Sequence, residues 1–192
     1  MIDLVCCLEE PSAKEMLQAI FKKELHENVT TQFIVFEGKQ DLRKGLEKKM
    51  KGWNKPNSFF LVMCDQDQDD CVALKKSLTE KVNNSGKSEK TLIRIACHEL
   101  ESFYLGDLNA VALGLKIKDL AKQQNKSKFR TPDGLNNAAQ ELKKITKGKY
   151  QKIQGSRNIA PFLRLDGTNT SHSFNVLING INKLTNNNQI AT

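Results

Sequence analysis

The sequence predicts an α/β protein: a mainly parallel four-stranded sheet flanked by helices, with a C-terminal helical annex. Three observations predict it. Over residues 1–107, apolar runs of strand length alternate with amphipathic helical stretches, the pattern of a parallel sheet covered on both faces. Beyond Asp107 the strand signal stops while helical periodicity continues. Acidic residues recur just after the strand runs, where the loops of a parallel sheet share one edge. The chain therefore divides into an α/β core over 1–107, a basic helical annex over 108–186 packed on that core, and a disordered tail over 187–192, where the polar residues offer little to bury.

Ile2 to Leu8 is a continuous apolar run, and Pro11 and Ser12 open a helix to about Leu25 with Leu17, Ile20 and Phe21 on one face. Thr30 to Phe36 is rich in β-branched and aromatic residues, and Leu42 to Trp53 reads as a basic amphipathic helix stopped before Asn54 and Pro56. Ser58 to Cys64 is the strongest buried-strand signal; Cys71 to Val82 is helical after it, and Asn83 to Lys90 is a polar loop. Thr91 to Cys97 is the fourth strand, and Glu99 to Leu105 turns helical. The annex reads as helices over Leu108–Leu115, Ile117–Gln124, Leu135–Ile145, Asn158–Leu165 and Ser173–Leu184.

Composition narrows the class. Apolar residues at 39% and charged residues at 27% sit near globular averages, which points away from wholesale disorder and from fibrous architectures. At 192 residues the chain can bury a core without disulfides. Its five cysteines, Cys6, Cys7, Cys64, Cys71 and Cys97, are odd in number, lie in or beside apolar runs and form no CxxC pair, which suits reduced thiols in the cytoplasm and argues against zinc. Met1 to Leu8 has no basic leader, and no apolar stretch is long enough for a membrane span, so a cytoplasmic protein without membrane contact is expected. Net charge is +8, and between Lys116 and Arg164 thirteen Lys and Arg face three acids, a local charge of +10 that leaves the rest slightly acidic. Such a chain can hold cations with one part and a phosphate backbone with the other. A solvated lysine-rich helical surface explains the same charges without a partner.

Glu9 and Glu10 follow the first strand, Asp65 and Asp67 the third, Glu99 and Glu101 the fourth. In an extended strand exit, carboxylates at i and i+2 point to the same side, so each of the last two pairs is expected to face one ion. Hard cations such as magnesium or manganese need only one or two carboxylates plus a phosphate oxygen, and two such ions can activate water and stabilise a leaving oxygen in phosphodiester cleavage. Individually each acid is explained by a helix cap, a solvated turn or a surface pair; three sets at one edge favour the metal, because clustered carboxylates repel without a cation. His98 reads as a packing residue, Ser12 as a helix start, and the scattered glycines form no phosphate loop.

The order of an apolar strand with Glu9, then LVMCDQDQDDC from Leu61 to Cys71, then RIACHELESFYLGD from Arg94 to Asp107, resembles an uncharacterised TOPRIM-clan family, domain of unknown function 4276, found beside AAA-type ATPases in bacterial anti-phage defence loci. KYQKIQGSRNIAPFL from Lys149 to Leu163 and NTSHSF from Asn169 to Phe174 are similar to its late Tyr-x-Lys and Ser-x-Ser-Phe motifs. The resemblance implies a TOPRIM-like fold in which Glu9, Asp65 and Asp67 bind magnesium for phosphodiester chemistry, with Glu101 as the family's additional acid. It places Ser171, Ser173 and Lys152 near the site or along a phosphate path. The chain departs from the family's Glu-Gly-x-Thr-Glu, having Glu9-Glu10-Pro11-Ser12-Ala13, and has Phe103 in place of a tryptophan. The first departure touches the metal site.

The expectation is thus a magnesium- or manganese-dependent nuclease or phosphoryl-transfer effector acting on DNA or RNA with an AAA-type ATPase partner in anti-phage defence. Glu9, Asp65, Asp67 and Glu101 are expected to hold the ions, Lys152 or Arg157 to steady developing charge, and Lys149, Arg157, Ser171 and Ser173 to bind the nucleic acid. The alternative is a non-catalytic subunit that binds nucleic acid or the ATPase through the annex. A hydrolase of small phosphorylated molecules is a third reading.

Overall fold

Every residue of Ile2–Leu8 is buried, and this run forms β1, a central strand of the sheet. β1 pairs in parallel with β2 (Val29–Val35) on one side and β3 (Ser58–Asp65) on the other, and β3 pairs in parallel with β4 (Thr91–Ala96), giving the order β2-β1-β3-β4. A strand apolar on both faces can sit only in a sheet covered on both sides. The computed structural model that gives these elements describes residues 1–186; the tail expected over 187–192 lies outside the described residues.

Alternation along the strands sorts the core into two layers. Leu4, Cys6, Leu8, Leu61 and Met63 pack against Met16, Leu17 and Ile20 of α1 (Pro11–Glu24). Val5, Cys7, Phe60, Val62 and Cys64 pack on the opposite face against α2 (Lys39–Lys51) and α3 (Cys71–Asn84) through Leu42, Leu46, Met50, Leu74, Leu78 and Val82. Each such aliphatic side chain contributes about 1.5–3 kcal/mol by leaving water, so facing the wrong layer by one residue would cost the whole set. The α/β class, the parallel sheet and its flanking helices are as the sequence predicts.

The annex joins the α1 side. α4 (Glu101–Leu105), α5 (Leu108–Gly114), α6 (Ser127–Arg130), α7 (Ala138–Ile145), α8 (Lys152–Ile159) and α9 (His172–Asn186) follow in turn. Phe103, Tyr104, Phe129, Leu142, Tyr150, Phe174 and Leu177 share one buried cluster with Leu4, Leu8 and Met16. Asp107, fully buried, ties these pieces together: it caps α5 through the Ala110 N–H at 3.2 Å and accepts from the backbone N–H and Nε of Arg164.

Several annex boundaries differ from expectation. The helix expected over Asn158–Leu165 starts six residues earlier at Lys152 and closes at Ile159 in a 3-10 turn, Ala160–Phe162, around Pro161. Gly155 makes the earlier start possible, since a Cβ there would lie 2.4 Å from the Tyr150 ring. The stretch Ile117–Gln124 contracts to a 3-10 turn, Leu120–Gln123, entered through Asp119 at φ 63°. Ser127–Arg130 is a helical turn that the periodicity did not reveal. Among the described residues no helix is long and apolar enough to cross a membrane.

Candidate active site at the carboxyl ends of the strands

The strand order contains a reversal. From β1 the chain moves outward to β2, then returns past β1 to add β3 and β4 on the other side. In open parallel sheets such a reversal is where the loops leaving two neighbouring strands run to opposite sides and where ligands usually bind. Glu9 and Glu10 leave β1 there, and Asp65 is the last residue of β3.

Asp65 continues the alternation of Leu61 and Met63, so it belongs to the face covered by α1 and the annex. It is only 7% exposed. Burial, then the negative charges of Glu10, Glu101 and Glu9, push its carboxyl well above the ordinary range, and Lys152 acts in the opposite sense. Glu9 Oε2 accepts the backbone N–H of Asp65 at 3.0 Å, which locks the exits of β1 and β3 together. Burial also raises the Glu9 carboxyl, against the pull of that hydrogen bond and of Lys39.

Glu101 enters from the first turn of α4 and is 1% exposed. Its Oε1 accepts the Tyr150 hydroxyl at 2.8 Å, while Oε2, equally buried, has no hydrogen-bond partner among the described residues. Burial lifts its carboxyl above the usual range, with Lys152 and the Tyr150 hydrogen bond opposing. Glu10 sits at the N-cap of α1, fixed by Pro11 at the first helical position. One carboxylate oxygen accepts the Ser12 hydroxyl, and the other forms an ion pair with Lys152 at the start of α8. Burial works against the Lys152 ammonium, but its hydrogen bond to Glu10 and the charges of Glu10, Glu101 and Asp65 outweigh that and raise its pKa.

The two i, i+2 pairs do not point together as expected. Asp67 has left the extended conformation, at φ 52°, and pairs with Lys39 of α2 at 2.5 Å, on the far side of the sheet from Glu101. Lys39 also meets Asp69 at 3.1 Å, and Arg43 meets Asp69 at 2.9 Å, so these groups form a second, exposed ion-pair cluster. Glu99 and Glu101 separate because His98 adopts φ 57° and α4 starts two residues later. Glu99 accepts the Ala139 N–H at 2.8 Å near the start of α7 rather than forming a surface pair.

The remaining residues singled out in the sequence have partners outside the acidic group or none that touch it. Arg157 is exposed and pairs with Glu15 of α1 at 2.7 Å, and Lys149 is exposed in the turn before α8. Ser171 and Ser173 begin α9: Ser171 Oγ donates to Asp133 Oδ1 at 2.6 Å and accepts the Phe174 N–H, while the Ser173 N–H donates to Asp133 Oδ2 at 2.7 Å. The Ser-x-Ser-Phe motif thus organises a helix start in this chain. Lys39, which acts on both Asp67 and Glu9, is the group that sequence reasoning passed over; Glu10 stood among the acids after the first strand and Tyr150 in the Tyr-x-Lys motif, but neither was given a role.

Among the described residues no group of three or more His, Cys, Asp or Glu side chains is close enough together to hold a metal ion as it stands. The chemistry of the inner donors nevertheless fits a hard divalent cation, which takes carboxylate oxygens: a buried Glu101 oxygen lacks a partner, and Asp65 is enclosed by negative charge.

A family model, Domain of unknown function (DUF4276), matches residues 8–182. No curated protein and no solved structure gives a significant match to the chain.

Proposed function

The chain belongs to this family, Domain of unknown function (DUF4276), and from that premise we propose that it is a magnesium- or manganese-dependent phosphodiester hydrolase of TOPRIM type, cutting DNA or RNA. The supporting observation is that Asp65 is buried within reach of the charges of Glu9, Glu10 and Glu101, with one buried Glu101 oxygen left unpartnered among the described residues. The AAA-type ATPase partner and the role in anti-phage defence follow from the sequence resemblance and belong to the same proposal.

Glu9, Asp65 and Glu101 are the residues that would hold the ion, with Asp67 at the outer edge beside Lys39. A divalent ion bound there supplies Lewis-acid stabilisation of phosphoryl oxygens and makes water a better nucleophile at neutral pH. The protein supplies the rest. Glu9, anchored on the Asp65 N–H, fixes the spacing of the two strand exits. Tyr150 orients Glu101 so that its second oxygen stays open. Lys152, with Lys149 and Arg157 nearby in sequence on the exposed side of α8 and the turn before it, would receive the phosphate backbone.

Labelled single- and double-stranded DNA and RNA, incubated with magnesium or manganese, test the reading. The parent should cut; Asp65→Ala should lose at least about a hundredfold in rate, within the range for losing one key transition-state contact, while Asp67→Ala should lose less. Equal cutting by parent and Asp65→Ala would remove the site assignment.

A second reading is a non-catalytic subunit that binds nucleic acid or the ATPase through the annex. The replacement of the family's glycine by Glu10, already paired with Lys152, favours it. No cutting, with salt-sensitive binding that needs no divalent ion, would establish this alternative.

A further inference from the structure

Glu10 stands at the N-cap of α1, and its carboxylate does not project idly from the helix start. It is held from below by the Ser12 hydroxyl and from the annex by the Lys152 ammonium. Lys152 is the first residue of α8, and its side chain is half exposed, so it reaches inward from the rim. The charges it acts on are Glu10, Glu101 and Asp65, the same three that crowd one another at the strand exits. The Glu101 Oε2 atom is buried and without a hydrogen-bond partner among the described residues, and Glu101 and Lys152 act on one another. Three carboxylates so enclosed require positive charge, and an ammonium on a flexible four-carbon stem can supply it reversibly.

Resting on the reading of the site as a divalent-cation centre, we propose that Glu10 joins Glu9, Asp65 and Glu101 in the cation seat and that Lys152 is its built-in competitor. The ammonium balances the seat when no metal is there, and a divalent ion entering the seat displaces it from Glu10. The freed Lys152 then stands at the rim, where a phosphate group of the substrate would meet it.

Groups facing the seat on each packed element are accounted for. From β1 and α1 come Glu9, Glu10 and Ser12; from β3 and the turn after it, Asp65 and Asp67; from α2, Lys39, which acts on Glu9; from α4, Glu101 and the buried Tyr104 hydroxyl; from the turn before α8 and α8 itself, Tyr150, Lys152 and Ser156. Arg157, one helical turn and a half further along α8, is engaged by Glu15 and is not available to substitute.

Calorimetric titration of the full chain with manganese, followed by competition with magnesium, tests the proposal without relying on activity. Lys152→Gln should bind manganese about tenfold more tightly than the parent, a change of roughly 1.4 kcal/mol. Lys152→Arg, which keeps the charge, should stay near the parent, and Glu10→Gln should bind about tenfold more weakly. In EDTA, Lys152→Gln should melt below the parent, and saturating manganese should raise its melting temperature by more than it raises that of the parent. Binding by the parent that Lys152→Gln leaves unchanged or weakens would overturn the competitor and leave the metal reading standing. Absence of binding in the parent and in every variant would overturn both.

Discussion

Asp65 concentrates the physics of the site. It ends a fully buried strand segment, is nearly inaccessible, and faces three other carboxylates, so its charged form is opposed first by burial and then by Glu10, Glu101 and Glu9. Because the folded-state pKa is raised, stability from this group is full at acid pH and is lost as pH rises from the ordinary carboxylate range through that elevated value. The metal-free protein should therefore become less stable between mildly acidic and neutral pH, and Asp65→Asn should flatten that slope. At pH 8 in EDTA the variant should melt above the parent, by roughly 2–4 °C for each kcal/mol of relieved repulsion. Thermal melts across pH 4.5–8 measure this, and a variant that melts lower than the parent at every pH would show that Asp65 is stabilised as a carboxylate. The place of Asp65 at the end of a buried strand run was legible in the sequence. The divergence of Asp67 was not: the left-handed turn at φ 52° is set by the hydrogen bond from the Asp67 N–H to the His98 carbonyl, a long-range contact invisible to local pattern.

Among the elements, the core strands and the helices α1 to α3 were readable because two-sided burial and helical spacing leave strong signatures, and their bounds shift by only one to three residues from expectation. The annex was harder. α8 contains Gly155, Gln154 and Ser156, which carry little periodicity, and it is helical because Gly155 lets the Tyr150 ring approach. That contact places the Tyr150 hydroxyl on Glu101, so α8 acts on the site twice, through Tyr150 at its entrance and through Lys152. Tyr150→Phe leaves a buried carboxylate without either hydrogen bond and should cost about 1–3 kcal/mol in chemical denaturation, more at pH 8 than at pH 5. An unchanged unfolding midpoint would mean that Glu101 has another partner. The missed element at Ser127–Arg130 and the contracted one at Leu120–Gln123 are single turns, too short for a clear periodic signal.

For the molecule as a whole, charge and topology combine. The reversal between β1 and β3 puts Glu9, Glu10 and Asp65 at one sheet edge, and the annex, packed on the α1 face, brings Lys152 onto Glu10, with Lys149 and Arg157 exposed beside and along the same helix. A negative centre with a positive border is the distribution suited to a cation and a phosphate backbone together. The class and strand order of the acids could be read from sequence, whereas the pairing of Glu10 with Lys152 depends on how α8 docks against α1, a contact between residues 142 positions apart. The most direct test of the account is a crystal structure of the protein grown with manganese and located by its anomalous signal. The account predicts a peak among Asp65, Glu101 and Glu10, with the Lys152 ammonium moved off Glu10. A peak confined to Asp67 and Asp69, or an unmoved Lys152 with an empty seat at saturating manganese, would contradict it.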